Sequence, residues 1–239
     1  DLHPGHRGAV QVRAPSLRAG ACLAGLAAAL TLCLTACGES TMTAFDATAY
    51  VRGVLDETYK GTWDNAFLDL VDLTDGEAQD AYEEALEQEY QRFVYQFDLD
   101  DASLTEETRQ AAMDLLSQIC ARAQYTVQSA AALDDTRYAV EVSVRPIDLF
   151  LQVEEDLLPA YQEEFAARYE GADLSSSEAL ASYENAWAQG IIQLCTDRLG
   201  LLGHQDVVSM LVLVAPDDDG CYSMSSTDFA NLSALILPY

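Results

Sequence analysis

The sequence predicts an α+β fold, in which several amphipathic helices pack on an antiparallel sheet of about four strands. Helices are indicated by apolar residues that recur at intervals of three and four, for example over residues 75–97. A strand is indicated by residues 138–145, where apolar and polar side chains alternate. Further helical segments follow this strand, so helices and hairpins succeed one another along the chain.

Residues 1–36 have the layout of a secretory signal. Arg7, Arg13 and Arg18 precede an uncharged stretch, residues 19–38, that is rich in alanine and leucine. Such arginines stay on the cytoplasmic side while the apolar stretch enters the bilayer. The alternative is a retained transmembrane helix, since an uncharged stretch of this length is just long enough to span a bilayer. Both interpretations place the rest of the chain outside the cell.

A cysteine ends this segment, where an ordinary secretory signal needs none. Leu34, Thr35, Ala36 and Cys37 match the lipobox of bacterial lipoproteins position by position, so residues 1–36 resemble a lipoprotein signal peptide. The resemblance implies cleavage before Cys37, whose thiol is then the site of lipidation. It further implies that residues 37–45 form a lipidated tether, anchored to the outer face of the cell membrane.

The remaining residues, 46–239, are enough for one extracytoplasmic α+β domain with a sizeable core. Candidate N-caps are Asp46, Ser103 and Ser175, and the two serines are each followed three residues later by glutamate, which is the capping-box spacing. Gly61 and Gly200 are candidate stop signals. The helices predicted in this domain are residues 46–60, 63–71, 75–97, 103–122, 147–170, 175–199 and 228–237.

Two hairpins are predicted between these helices. The first turns at Asp134 and Asp135, and Pro146 ends its second arm because proline cannot donate to a strand ladder. The second turns at an Asp-Gly pair, which favours a tight hairpin, and its first arm is so apolar that it reads as a buried strand. The predicted strands are residues 125–133, 138–145, 207–214 and 221–225.

Residues 75–146 and 154–226 show a weak internal similarity. The motif "AYEE" in the first recurs loosely as "AYQEE" in the second, and each block ends in a hairpin with neighbouring aspartates at its turn. Helices rich in alanine, glutamate and tyrosine also match one another by composition alone, so duplication and chance both stay open. A true duplication makes Cys120 and Cys195 equivalent structural residues at helix ends.

The net charge at pH 7 is −28, and it becomes more negative once residues 1–36, with three arginines and one aspartate, are removed. Such a surface repels phosphate backbones and anionic lipid headgroups, which excludes nucleic acid as a partner and disfavours docking of the domain on the membrane. The charge is explained by a highly soluble surface on a tethered domain, although it also attracts cations and basic partners.

Three cysteines, Cys120, Cys195 and Cys221, follow the proposed anchor. The odd number allows one disulfide with one free thiol, or three buried thiols that pack as small apolar residues. The sequence does not decide between these states.

The domain also resembles uncharacterised Gram-positive lipoproteins, some of them NTF2-like or cystatin-like, in which helices cross one face of a curved sheet. The resemblance lies in the order of the elements and in a last hairpin of the form D-D-G-x-Y, here Asp218, Asp219, Gly220 and Tyr222. It implies an antiparallel sheet packed by helices, and it implies no catalytic residue.

Few side chains are suited to covalent chemistry. His204 is the only histidine after the signal segment, so every histidine-based scheme must use it, yet it stands in a predicted loop. Lys60 is the only lysine, and no phosphate-binding motif precedes it; a cation at a helix C-terminus explains it. Calcium is conceivable at the aspartates of residues 98–101 or 217–220, but neither cluster fits an EF-hand loop.

We therefore expect a membrane-anchored extracytoplasmic lipoprotein that acts as a non-catalytic binding or accessory module of the cell envelope. Its expected partners are the lipid bilayer, through acylated Cys37, and an envelope protein. One alternative is a hydrolase, which needs an apolar cleft that holds two carboxylates with perturbed pKa values. The other is a lipoprotein that binds a small ligand. No catalytic, cofactor-binding or metal-binding residue is assigned.

Overall fold

A computed structural model describes residues 42–218 and 220–239. The α-helices are α1 (Ala44–Leu55), α2 (Asn65–Val71), α3 (Asp75–Gln96), α4 (Glu106–Cys120), α5 (Leu149–Gln152), α6 (Leu158–Arg168), α7 (Ser177–Leu199) and α8 (Ser226–Ile236). The strands are β1 (Gln124–Val127), β2 (Ala131–Ala132), β3 (Tyr138–Arg145), β4 (Val208–Pro216) and β5 (Tyr222–Met224). Wider π-helical turns continue α1 over Asp56–Lys60 and α5 over Val153–Leu157. The predicted α+β class, with helices packed on an antiparallel sheet, is confirmed.

The five strands form one antiparallel sheet in the order β1-β3-β4-β5, and β2 pairs with the other end of β3 beside β1. The ladder between β3 and β4 runs from Tyr138 opposite Val214 to Val144 opposite Val208. Both predicted hairpins are present, and β3 ends at Arg145, directly before Pro146, as predicted. Strand β3 is therefore the centre of the sheet.

The helices cover one face of this sheet. The alternating residues Tyr138, Val140, Val142 and Val144 of β3 are all buried, and α1 and α8 pack against β3 from that side. Along the opposite face, the side chains of β3 and β4 are exposed or half-buried. We refer to this second surface as the open face.

The open face explains why one prediction was wrong. The run of apolar residues at 207–214 predicted a buried strand, yet only Val212 and Val214 are buried there. Leu211 alternates with them, points to the open face and is 63% exposed. An apolar run gives no sign of whether a second layer of structure covers it.

The N-cap residues of three helices differ from the predicted ones. Thr43, not Asp46, caps α1: its side chain accepts a bond from the Asp46 amide, and the Asp46 carboxylate accepts one from the Thr43 amide at 2.9 Å. Thr105 caps α4 in place of Ser103, whose hydroxyl instead donates to the Asp100 carboxylate at 2.6 Å. Ser176, not its neighbour at position 175, caps α7. Neighbouring serines, threonines and aspartates are all competent caps, so the sequence fixes such starts only to within a few residues.

Residues that the sequence assigned to the tether belong to the folded structure. Met42 is buried, its carbonyl accepts a short hydrogen bond from the Tyr138 hydroxyl, and α1 begins at Ala44. Cys37, the predicted lipidation site, and the signal segment lie outside the described residues. The two segments of the proposed duplication each run helix, helix and hairpin, and the duplication stays a prediction.

A partly buried polar network joins Tyr239 to α3. Its hydroxyl donates to a Glu89 carboxylate oxygen at 2.5 Å, and Arg92 donates to the other oxygen of that carboxylate at 2.9 Å. Arg92 also donates to the carbonyl of Leu237 at 3.3 Å, and the ring of Phe150 stacks on Tyr239 with 4.4 Å between centroids. The end of α8 is thereby held against the helical layer.

Gly53 allows α1 and α2 to pack closely, which gives a test of this part of the core. A Cβ atom at Gly53 would lie 2.0 Å from the buried ring of Phe67. We expect Gly53→Ala to lower the free energy of unfolding by about 1–3 kcal/mol, because the cost of overpacking exceeds the gain in helix propensity of about 1 kcal/mol. Urea denaturation measures the change.

The matched control is Gly76→Ala near the start of α3, where the added Cβ meets nothing closer than 3.9 Å. This variant should equal or slightly exceed the wild type in stability, since only helix propensity changes. Equal effects of the two substitutions would contradict the packing described.

Candidate functional site

A groove opens at one end of the sheet, where β1 begins and β3 ends. Its volume is about 370 Å³. Lining residues come from the end of the first helical segment, from β1, from β3 and from the residue before β4. They are Lys60, Ala123, Gln124, Tyr125, Thr126, Ser143, Arg145 and Val207.

The π-helical turn after α1 places Lys60 at this groove. Gly61 ends the turn in the left-handed conformation, with φ of 57°. The Lys60 ammonium lies 2.9 Å from an Asp56 carboxylate oxygen, which also accepts a bond from the Tyr125 hydroxyl at 2.8 Å. The same ammonium stands 4.3 Å from the centroid of the Tyr125 ring. Burial and the neighbouring Asp56 raise the pKa of Tyr125, so this hydroxyl stays protonated as a donor.

Strand register brings the polar residues of the groove together on the open face. Gln124 lies opposite Arg145, and Thr126 lies opposite Ser143. The Ser143 hydroxyl is 2.8 Å from that of Ser209 on β4. Because side chains alternate along each strand, these residues share one face although they are distant in sequence.

The charge of Arg145 is unbalanced. In the described ranges, every lysine and arginine forms an ion pair except Arg52, Arg122 and Arg145. Arg122, directly before the groove residue Ala123, donates to the carbonyl of Leu199 at 2.8 Å. This end of the sheet therefore carries positive charge on a protein whose net charge is −28.

His204 lies near this end of the sheet but outside the groove lining. Its Nε2 atom is 3.0 Å from the carbonyl oxygen of Arg122, and its backbone pairs with Ile147. Both contacts hold the connection between α7 and β4 against the sheet. One of the two ring nitrogens of His204 is thus engaged by a backbone carbonyl.

The thiols of Cys120 and Cys195 are free and buried. Burial raises the pKa of Cys195 to about 12, and it raises the pKa of Cys120 as well. Both side chains remain thiols at neutral pH, and they pack in the core as small apolar residues. Cys221 is also buried and is disulfide-bonded, so the three cysteines are not all free thiols.

The two acidic clusters have structural partners. Asp101 accepts a short bond from the Tyr90 hydroxyl and pairs with Arg109 at 3.1 Å, which joins the segment before α4 to α3. At the turn after β4, Asp217 accepts a bond from the Cys221 amide at 2.9 Å, and Gly220 has φ of 80°. Within residues 42–218 and 220–239 no three His, Cys, Asp or Glu side chains are grouped to hold a metal ion.

Glu57 is a buried carboxyl that the sequence analysis missed. It is 2% exposed, its Oε1 atom has no hydrogen-bond partner among the described residues, and burial raises its pKa to about 7. It lies in the same π-helical turn as Lys60 but does not line the groove. Its helical spacing from Tyr50 and Val54, on the buried face of α1, could have predicted that Glu57 is buried.

The groove does not provide the cleft that the hydrolase alternative requires. None of the described residues that line it is acidic, and the one buried carboxyl with a strongly raised pKa, Glu57, lies elsewhere. What the lining supplies is hydrogen-bond donors, two cationic groups and one aromatic ring. Such a set can bind and orient a ligand.

Comparison with known proteins adds a likeness of fold. No protein-family model matches this chain, and no curated protein matches it significantly. The chain is similar to the crystal structure of a "putative lipoprotein (ycdA)" from Bacillus subtilis subsp. subtilis str. 168, with a TM-score of 0.50 and 11% sequence identity. The similarity covers 81% of this chain and 56% of that one, so this chain spans about half the length of ycdA. No helix in the described part of this chain is both long and apolar enough to cross a bilayer.

The buried Glu57 carboxyl gives a pH-dependent prediction. The unfolded chain loses this proton near pH 4.5, whereas the folded protein keeps it up to about pH 7. Stability from this group therefore falls as pH rises from 4.5 to 7, by about 3 kcal/mol in total. Glutamine does not titrate, so the Glu57→Gln variant does not lose this stability. The free energy of unfolding of the variant minus that of the wild type should therefore be larger at pH 8 than at pH 5, and urea denaturation at both pH values measures it.

Glu163→Gln on the exposed face of α6 is the control, and its effect should not change over this range. If Glu57→Gln shifts stability equally at pH 5 and pH 8, the carboxyl is already ionised in the fold and the assignment is wrong.

Proposed function

We propose that this chain is a lipid-anchored lipoprotein on the outer face of the cell membrane, and that its domain binds an envelope partner without catalysing a reaction. The anchor is supported by the lipobox-like residues that end in Cys37. It is also supported by the fold, which is similar to that of ycdA, the "putative lipoprotein" of Bacillus subtilis.

The open face of the sheet is the observation that carries the binding role. Leu211 is 63% exposed on this face, and Val207, which lines the polar groove, is 60% exposed. Isolated exposed apolar residues are ordinary on proteins, whereas apolar residues beside convergent polar groups mark interaction surfaces. A face of this kind suits a partner that completes the missing layer over the sheet.

The chemistry of the remaining side chains supports a role without catalysis. Cys120 and Cys195 are buried with raised pKa values, which disfavours the nucleophilic thiolate. His204 bonds to a backbone carbonyl, and the lysine that lines the groove is paired with Asp56. Each of these groups has a structural role in the fold.

The short link to the proposed anchor keeps the domain close to the membrane. Met42 is buried at the Tyr138 end of β3, and only five residue steps separate it from Cys37. Such a link reaches at most about 18 Å. The domain would thus stay near the bilayer, while its negative charge keeps it off anionic headgroups.

Lipidation is tested on protein purified from the membranes of a bacterial host. Mass spectrometry should find a mature chain that begins at Cys37 and carries a diacylglycerol, because the lipobox directs both modification and cleavage. Cys37→Ser should abolish both, since the thiol is the acceptor. A wild-type chain with residues 1–36 attached and no lipid would refute the anchor.

The binding role is tested by a charge placed on the open face. Leu211→Asp should reduce recovery of a cross-linked envelope partner from intact cells by at least about tenfold, because it puts a desolvated charge into the interface. Leu180→Asp is the control: Leu180 is also exposed, at 43%, but lies on α7 away from the sheet. Thermal melts check that both variants fold. Equal recovery with both variants would argue against the open face.

A further inference from the structure

We propose that the groove lined by Lys60 and Arg145 binds a small organic anion through a carboxylate or phosphate group. The inference rests on the proposed binding role and names the chemistry of one ligand of that face. Its basis is an unpaired arginine, a paired lysine and three uncharged polar side chains that share one groove.

The charge of the protein makes the unpaired arginine informative. The whole chain has 40 acidic and 12 basic residues, so carboxylates are available to pair with nearly every cation. The fold nevertheless leaves Arg145 without a carboxylate partner in the described ranges, at a groove whose lining contains no acidic residue. Arg122 lies at the same end of the sheet and is also without an ion pair. The basic groups at this end of the sheet are therefore only partly balanced by carboxylates, although the protein as a whole is acidic.

The donors of the groove suit an oxyanion. A guanidinium presents a planar fork that matches a carboxylate or phosphate with two parallel hydrogen bonds. An ammonium has three donors, so Lys60 retains N–H groups beyond the one that faces Asp56. Thr126 and Ser143 add hydroxyls, and Gln124, directly opposite Arg145, adds an amide.

Nearby carboxylates set where the anion can sit. The Asp56 charge is balanced by Lys60 at 2.9 Å. Glu141 is on the open face of β3, two positions from Ser143 and opposite Leu211, so it repels an anion from the middle of the sheet. The favourable position is thus the Arg145 end of β3, beside Gln124.

The apolar part of the lining limits the rest of the ligand. Ala123, Val207 and the ring of Tyr125 form the other surfaces of the groove. A volume of about 370 Å³ is near the lower end of the usual range for small-molecule sites. The ligand therefore combines an anionic group with a short apolar portion.

The test is an NMR titration of the ¹⁵N-labelled, lipidated protein in a neutral detergent. Acetate and inorganic phosphate are added separately, each against sodium chloride at equal ionic strength, because screening alone affects a protein of this charge. We expect saturable shifts of the amides at Gln124, Thr126 and Arg145 with one or both oxyanions, and no saturable shift with chloride.

Two arginine variants show whether the site itself is responsible. Arg145→Gln should weaken oxyanion binding by at least about tenfold, because it removes the charged fork. Arg137→Gln is the matched control, since Arg137 lies directly before β3, at the end of the strand away from the groove, and pairs with Asp134 at 2.6 Å. Its affinity should equal that of the wild type. The amide spectrum of each variant shows that it is folded.

The outcomes distinguish a carboxylate ligand from a phosphorylated one. They also test the anion site separately from the partner-binding role. Tighter binding of acetate assigns a carboxylate ligand, and tighter binding of phosphate assigns a phosphorylated one. Shifts that chloride reproduces, or that Arg145→Gln leaves unchanged, overturn the anion site. If that happens while Leu211→Asp still abolishes partner capture, the binding role stands. If Leu211→Asp has no effect while the anion binds at Arg145, the partner role fails and a small-ligand lipoprotein remains.

Discussion

The pairing of β3 with β4 is the constraint on which the rest of the structure depends. Strand β3 belongs to the hairpin that follows α4, and β4 to the hairpin that follows α7, so their ladder joins the two halves of the described chain. The register also decides which side chains face the helices. A slip of one residue would move Val140, Val142 and Val144 out of the core and put Glu141 and Ser143 into it. The hydrophobic pattern of β3 therefore fixes the open face as strictly as it fixes the buried one.

Much of this architecture could be predicted from the sequence because local patterns specify it. Alternation of polar and apolar residues gave β3, and helical spacing gave the stripe of α3 whose residues Tyr90 and Phe93 are fully buried. Helix starts were less certain because Ser103 and Thr105 are both competent caps. The exposure of Leu211 could not be predicted at all. It depends on whether a further layer covers β4, and no local pattern records that.

The groove was beyond prediction for a related reason. Lys60 is the only lysine of the sequence and was predicted to lie at a helix end, where the structure places it. Its place in the same groove as Arg145 depends on two features. One is the register that puts Gln124 opposite Arg145, and the other is the π-helical turn, in which Asp56 accepts a hydrogen bond from Tyr125. A turn widened by one residue shifts every later side chain around the helix axis. Spacing rules for a regular helix do not anticipate such a shift.

The position of the groove relative to the proposed anchor follows from two lengths in the fold. The Tyr138 hydroxyl bonds to Met42, and Arg145 lies at the other end of β3, about 23 Å away at the rise of a strand. Residues 44–60 form one continuous helical segment that leads from beside Met42 to Lys60, about 25 Å at the rise of a helix. The two estimates agree, so the groove lies at the end of the domain opposite Met42. With a lipid on Cys37, the anchor would join the domain at the end opposite the groove, so the link itself would not cover the groove.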